Sequence, residues 1–189
     1  MSDEGDFGYS QIVWETTSPE NVKLAEAEYR LSFDGTLVDA QDLDKKAQYV
    51  LTGLIGLTTA ILGFAFTQSK QLDVQYLVAL YVLASTFGLG AVFASVSLLP
   101  RTYCRAGTTP NNLDVSEWKP LLVGSEEDAR RLYGLRIRAY SRAISSHNVV
   151  NAQKSFWLRM ALISAVVAVF AALASAAATA AVLVFLNAA

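Results

Sequence analysis

Residues Met160–Ala189 read MALISAVVAVFAALASAAATAAVLVFLNAA, 30 consecutive positions without a charge. About 20 helical residues cross the ~30 Å of hydrocarbon in a bilayer, so this one run is long enough to set the class of protein. Two more runs lie N-terminal to it. Val74–Pro100 is uncharged for 27 residues and Ala47–Ser69 for 23. The three together hold 80 of 189 residues, in a chain whose formal net charge is only −2. Such a distribution argues against a soluble globular domain, a disulfide-stapled secreted fold and a nucleic-acid-binding domain of net positive charge. The expectation is an all-α membrane protein with three transmembrane helices.

Within the runs, the spans read as Tyr49–Phe66, Tyr76–Leu99 and about Trp157–Leu186. Pro100 stops the second, since proline cannot continue a helix without penalty. Tyr49, Tyr76, Tyr81, Tyr103 and Trp157 fall near span ends, where amphipathic rings favour the headgroup region. The chain opens Met1-Ser2-Asp3-Glu4, acidic where a cleaved signal peptide needs a basic start, so the first span is expected to stay in the membrane.

Orientation follows from the basic residues. Residues 1–46 carry four Lys and Arg and residues 101–159 carry ten, whereas the connection between the first two spans has only Lys70. Three spans put the first two segments on one side, a split of 14 against 1, and the positive-inside rule makes that side the cytoplasm. The expected location is the inner (plasma) membrane, multi-pass, with a cytoplasmic N-terminus and an extracytoplasmic C-terminus. The small net charge is a cancellation: residues 1–46 sum to −7 and residues 101–159 to +5. Cys104, the single cysteine, falls on the cytoplasmic side and reads as an ordinary thiol.

The soluble segments read as helical. Gly8–Thr17 suits a short strand or extended arm, and Ser18-Pro19-Glu20 is a helix start with a capping serine, a proline at the first position and an acid in the first turn. That helix is expected to end near Gly35. Thr36 and Asp39 repeat the capping pattern, and Leu37, Ala40, Leu43 and Ala47 form an apolar stripe leading into the first span. Ser125 before Glu126, Glu127 and Asp128 is a third start, with Glu126–Arg130 and Glu127–Arg131 spaced as ion pairs. Tyr133, Ile137, Tyr140 and Ile144 share one face, and Arg131, Arg138 and Arg142 another. Two of the membrane helices are therefore expected to extend into the cytoplasm as amphipathic stalks. The domain reading is an acidic cytoplasmic arm (1–35), stalk and first transmembrane helix (36–69), short extracytoplasmic loop (70–75), second transmembrane helix (76–99), cytoplasmic loop and basic stalk (100–156) and third transmembrane helix (157–187).

No catalytic constellation, cofactor motif or metal cluster emerges, and the chain reads as a non-enzyme. His147, the only histidine, reads as a satisfied surface or core residue. The span glycines suit close helix packing: Gly56–Ala60, Ala84–Gly88 and Gly90–Ala94 are small-x-x-x-small pairs, and Ala171, Ser175 and Thr179 continue the theme. Packing within one chain and packing between copies are both open. With no Asp, Glu, Lys, Arg or His in the spans, a secondary transporter is disfavoured. A pore would have to be lined by Thr58, Thr59, Ser85, Thr86, Ser95, Ser164, Ser175 or Thr179 after several copies assemble. The arginine stripe admits three readings: a solvated face partly paired with acids, a contact for anionic headgroups, or a site for a small anion such as a nucleotide. Asp44, Lys45, Lys46, Asn151 and Lys154 stand at comparable distances from the first and third spans. They suit a polar clamp between those helices, with headgroup anchoring by the lysines as the alternative.

Three short stretches carry a resemblance. Asp44-Lys45-Lys46-Ala47-Gln48-Tyr49-Val50-Leu51 stands at the mouth of the first span, Leu98-Leu99-Pro100-Arg101 ends the second, and Asn148 with Asn151-Ala152-Gln153-Lys154 precedes the third. In this order they resemble the membrane effector domain of the Pycsar anti-phage systems, and in outline the chain is similar to the SLATT family of small membrane effectors, over roughly residues 36–180. The resemblance implies a protein that responds to a cyclic-nucleotide alarm and disrupts the inner membrane, with Asp44, Lys45 or Lys46, Ala47, Asn151 and Lys154 as the corresponding positions. The chain departs from that pattern in having no added nucleotide-sensing or hydrolase domain and in its acidic N-terminal arm.

The functional expectation is a membrane effector that forms homo-oligomers and perturbs or permeabilises the bilayer, with a cyclic nucleotide or a cytoplasmic protein as candidate partner and no nucleic acid. The alternative is a non-enzymatic anchor or adaptor subunit that recruits a cytoplasmic partner.

Overall fold

The computed structural model describes residues 18–101 and 126–188. Gly8–Thr17, Tyr103, Cys104 and Ser125 lie outside them. All the regular structure among the described residues is helical: α1 (Pro19–Thr67), α2 (Val74–Leu98) and α3 (Glu126–Ala188). All three are long and apolar enough to cross a membrane.

At the start of α1 the expected cap is present. The Asn21 amide donates to Ser18 Oγ at 3.4 Å, and the Val22 amide to the Ser18 carbonyl at 3.2 Å. The expected break at Gly35 is not there. α1 continues through it for 49 residues, and the Thr36 hydroxyl donates back to the Phe33 carbonyl at 2.8 Å instead of capping a new helix. A glycine inside a helix costs about 1 kcal/mol relative to alanine. Burial of Val22, Thr36, Ala40, Ala47, Leu54 and Ala65 along α1 gives the helix a packed stripe on both sides of that glycine, which outweighs the cost. The third helix is likewise one element of 63 residues, from Glu126 through the span.

α1 and α2 are joined by a closed turn. The Gln68 carbonyl accepts from the Gln71 and Leu72 amides at 2.9 and 3.0 Å, and the Asp73 carbonyl accepts from Tyr76 and Leu77 as α2 begins. Side-chain hydroxyls cover further carbonyls at the end of α1: Thr67 donates to Gly63 and Phe64, and Ser69 to Phe66.

The chain divides into two compact units. One takes α1 up to Val38 and α3 up to Val149; the other takes α1 from Asp39, α2 through Arg101, and α3 from Val150. In the first unit Phe33 packs against Tyr140 and His147, with ring centroids 5.7 and 5.2 Å apart, and Arg136 reaches Glu26 at 3.7 Å. The acidic and basic segments thus meet here through the Glu26–Arg136 ion pair and an aromatic cluster. In the second unit Leu54 of α1, Phe87, Ala91 and Ala94 of α2, and Ala161 and Ala168 of α3 form a common core. Small residues let these helices approach closely. A Cβ added at Gly90 would collide with Ser164 Oγ and stand 3.1 Å from Leu54 Cδ1 and 3.2 Å from the Ala161 carbonyl oxygen.

Candidate functional site

In the second unit the three helices converge on a polar layer. Lys154 of α3 occupies a position that its neighbours Leu158, Ala161 and Ala168 make part of the apolar stripe, and its side chain is only 4% exposed. A buried ammonium needs a counter-charge, because stripping it of water costs several kcal/mol. Asp44 of α1 supplies it: Lys154 Nζ donates to Asp44 Oδ1 at 2.6 Å. The carboxylate is 41% exposed, so the pair has a buried cationic end and an anionic end that water reaches.

α2 closes the layer. The buried Ser97 hydroxyl donates to the Lys154 carbonyl at 3.1 Å, and Arg101 donates through Nη1 to Gln153 Oε1. Ser97 is therefore bonded to the backbone of the residue whose side chain bridges to α1. Beside it, Phe93 of α2 and Trp157 of α3 have ring centroids 5.9 Å apart. α1 contributes an acid, α2 a hydroxyl, Arg101 just past the end of α2 a guanidinium, and α3 a lysine and an amide, so the layer ties all three helices together.

Of the five residues expected to form a clamp, the structure brings Asp44 and Lys154 into contact. Asn151 is half-buried one turn before Lys154 on α3. The two adjacent lysines are elsewhere: Lys45 is exposed and lies 3.7 Å from Asp42 of the preceding turn, and Lys46 is exposed. Ser97, Arg101 and Gln153 were not assigned to the clamp from sequence. The available signal was spacing: Ser97 stands three residues after Ala94 and seven after Gly90, on the same face of α2.

The other candidate positions separate by face. Ala84, Gly90 and Ala94 are buried and Gly88 half-buried, whereas Gly56 and Ala60 are exposed and a Cβ at Gly56 would meet nothing within 4 Å. On α3, Ala171, Ser175 and Thr179 are half-buried and Ala168 and Ala172 take the buried positions. Arg138 and Arg142 are exposed; Arg131 lies within α3, and its side chain is outside what is described. His147 is buried among unit-one side chains at 1% exposure.

Each hydroxyl considered as a pore lining donates to a carbonyl of its own helix. Thr58 bonds Leu54, Thr59 Ile55, and Ser85 and Thr86 both bond Val82. Ser95 bonds Val92, Ser164 Ala161, Ser175 Ala172 and Thr179 Ser175. These groups are satisfied without water, so in a single chain they can face lipid or core equally well. Among the described residues no group of three or more His, Cys, Asp and Glu side chains could hold a metal ion.

Compared with models of protein families, with curated proteins and with solved structures, the chain matches none.

Proposed function

We propose that this is a non-enzymatic membrane effector of the inner (plasma) membrane, in which copies of the chain assemble and perturb or permeabilise the bilayer. The observation that carries it is the outer surface of the three spans. Ile55, Leu57 and Phe66 of α1, Val92 of α2, and Phe170 and Leu173 of α3 are each half or more exposed, with no charge in any of the three runs to which they belong. Such a surface needs lipid or other apolar helices around it. The parts of α1 before about Ala47 and of α3 before about Trp157 are cytoplasmic stalks in this reading, oriented by the 14-to-1 partition of basic residues. The polar layer around Lys154 then lies at the cytoplasmic mouth of the spans, where a carboxylate reached by water and a buried lysine are both tolerable.

The resemblance to Pycsar and SLATT effectors supplies the setting, defence signalled by a nucleotide. The test is regulated expression with a membrane-potential dye, together with dye release from liposomes holding the purified chain, each with and without cyclic nucleotides. Depolarisation and release are expected. Cells and liposomes that stay polarised and tight under every condition, with a cytoplasmic protein copurifying in stoichiometric amount, would replace this reading with that of an anchor subunit.

A further inference from the structure

In the first unit each helix has a second face that is largely exposed, half-buried Leu135 on α3 apart. On α1, Leu24, Leu31 and Val38 recur every seven residues and are 62%, 71% and 55% exposed. They run down the side opposite Val22 and Thr36, which are buried. Exposed Glu28 and Asp34 flank this line, with exposed Lys23 on the same side of the helix as Asp34. On α3 the same seven-residue step joins Leu135, Arg142 and Val149, with Arg138 alongside; both arginines are exposed, opposite the buried Ile137 and His147. One free face is apolar with acids, and the other is apolar with arginines.

We propose that the Leu24–Leu31–Val38 line of α1 in one copy docks on the Arg138–Arg142 face of α3 in the next, so that copies join head to tail into a closed ring. Charge selects the partner. Around an axis parallel to the helices, an α1–α1 contact would set Glu28 and Asp34 against themselves, and an α3–α3 contact would do the same to Arg138 and Arg142. The unlike pairing is the one that sets both acids against both arginines. It is also heterologous, and such contacts close into rings when the rotation between copies allows.

Register supports the same pairing. It rests on the membrane setting proposed above, because a bilayer holds every copy at one height. The level relation between α1 and α3 inside a copy then also holds between neighbours. Inside the unit Glu26 meets Arg136. Two residues further on both helices stand Glu28 and Arg138, Asp34 and Arg142 fall within two residues of the same level, and Leu24 with Leu135 and Val38 with Val149 fall within one. The apolar positions and both charge pairs therefore align together, with no vertical shift between copies.

The test uses the full chain in membranes of expressing cells, with Cys104→Ser as background and a short bismaleimide cross-linker. V38C/V149C, at exposed positions that leave the four charges in place, should give a ladder extending beyond the dimer. A mixture of the two single-cysteine variants should give dimer only, and either one alone should give monomer. In the V38C/V149C background, which keeps all four charges, R138E/R142E should abolish the ladder and adding E28R/D34R should restore it, with helical content unchanged because all four positions are exposed. Monomer throughout, dimers of V38C alone, or a ladder indifferent to charge reversal would overturn the proposal. Dye release from liposomes holding the same preparations separates the two claims: leakage without a ladder sinks the docking surface alone, and a ladder without leakage sinks the effector reading alone.

Discussion

Lys154 is the residue on which most of the second unit's polar chemistry turns. Its ammonium is buried and bonded to Asp44, and its carbonyl takes the Ser97 hydroxyl. Removing one partner from a buried pair costs about 3–5 kcal/mol, whereas replacing both by apolar groups of similar volume is often neutral. Because Asp44→Ala takes the counter-charge from an ammonium that stays buried, it should cost about 3–5 kcal/mol. The paired replacement D44L/K154M should return close to the parent, by thermal unfolding in detergent. Equal destabilisation by the single and the double change would show that the ion pair is not what matters there. Gly90 gives a second contrast at this scale. G90L drives a side chain into Ser164 and the Ala161 carbonyl, so it should unfold at clearly lower temperature. G56A adds a methyl to open space and should leave the melting temperature of the monomer unchanged or slightly raised.

At the scale of the element, the three spans could be read from sequence because freedom from charge over more than 20 residues has few other uses. The Ser18 cap was legible for a similar reason, since a serine followed by proline and an acid satisfies several end-of-helix demands at once. The supposed boundary at Gly35 failed because capping chemistry is local and the packing that overrides it is not. Thr36 can cap a helix or bond back to Phe33, and the choice is made by the stripe on which it lies. The clamp divided in the same way. Asp44 and Lys154 are unlike charges near the mouths of two spans, which spacing reveals, but nothing in the run Asp44-Lys45-Lys46 says which charge faces inward. Ser97 resembles every other serine in a membrane helix until its partner on α3 is known. The exposed line on α1 carries its own prediction. Leu31→Lys should leave the helical content and melting temperature of the monomer intact, since Leu31 is 71% exposed, while removing cross-linked multimers.

For the whole molecule, the partition of charge is the property on which the proposed orientation rests. Single cysteines introduced in the Cys104→Ser background at Gln71, and separately at Lys45 or Arg138, should react oppositely with a membrane-impermeant maleimide. The first should label in intact cells, and the others only after permeabilisation. The reverse pattern would invert the topology and, with it, the side from which a nucleotide or protein could reach the stalks.

The turn between α1 and α2 has a consequence for how the protein is made. It is a closed hydrogen-bonded loop, Gln68 to Asp73, in which Lys70 and Asp73 are the only charges and cancel. In the proposed orientation this is all of the first hairpin that has to pass through the bilayer during synthesis. The carbonyls of Gly63, Phe64, Phe66 and Gln68 that lead into it are already occupied by Thr67, Ser69 and the turn's own amides. A hairpin with so little to dehydrate can partition into lipid as one piece, without a motor to pull a polar domain across.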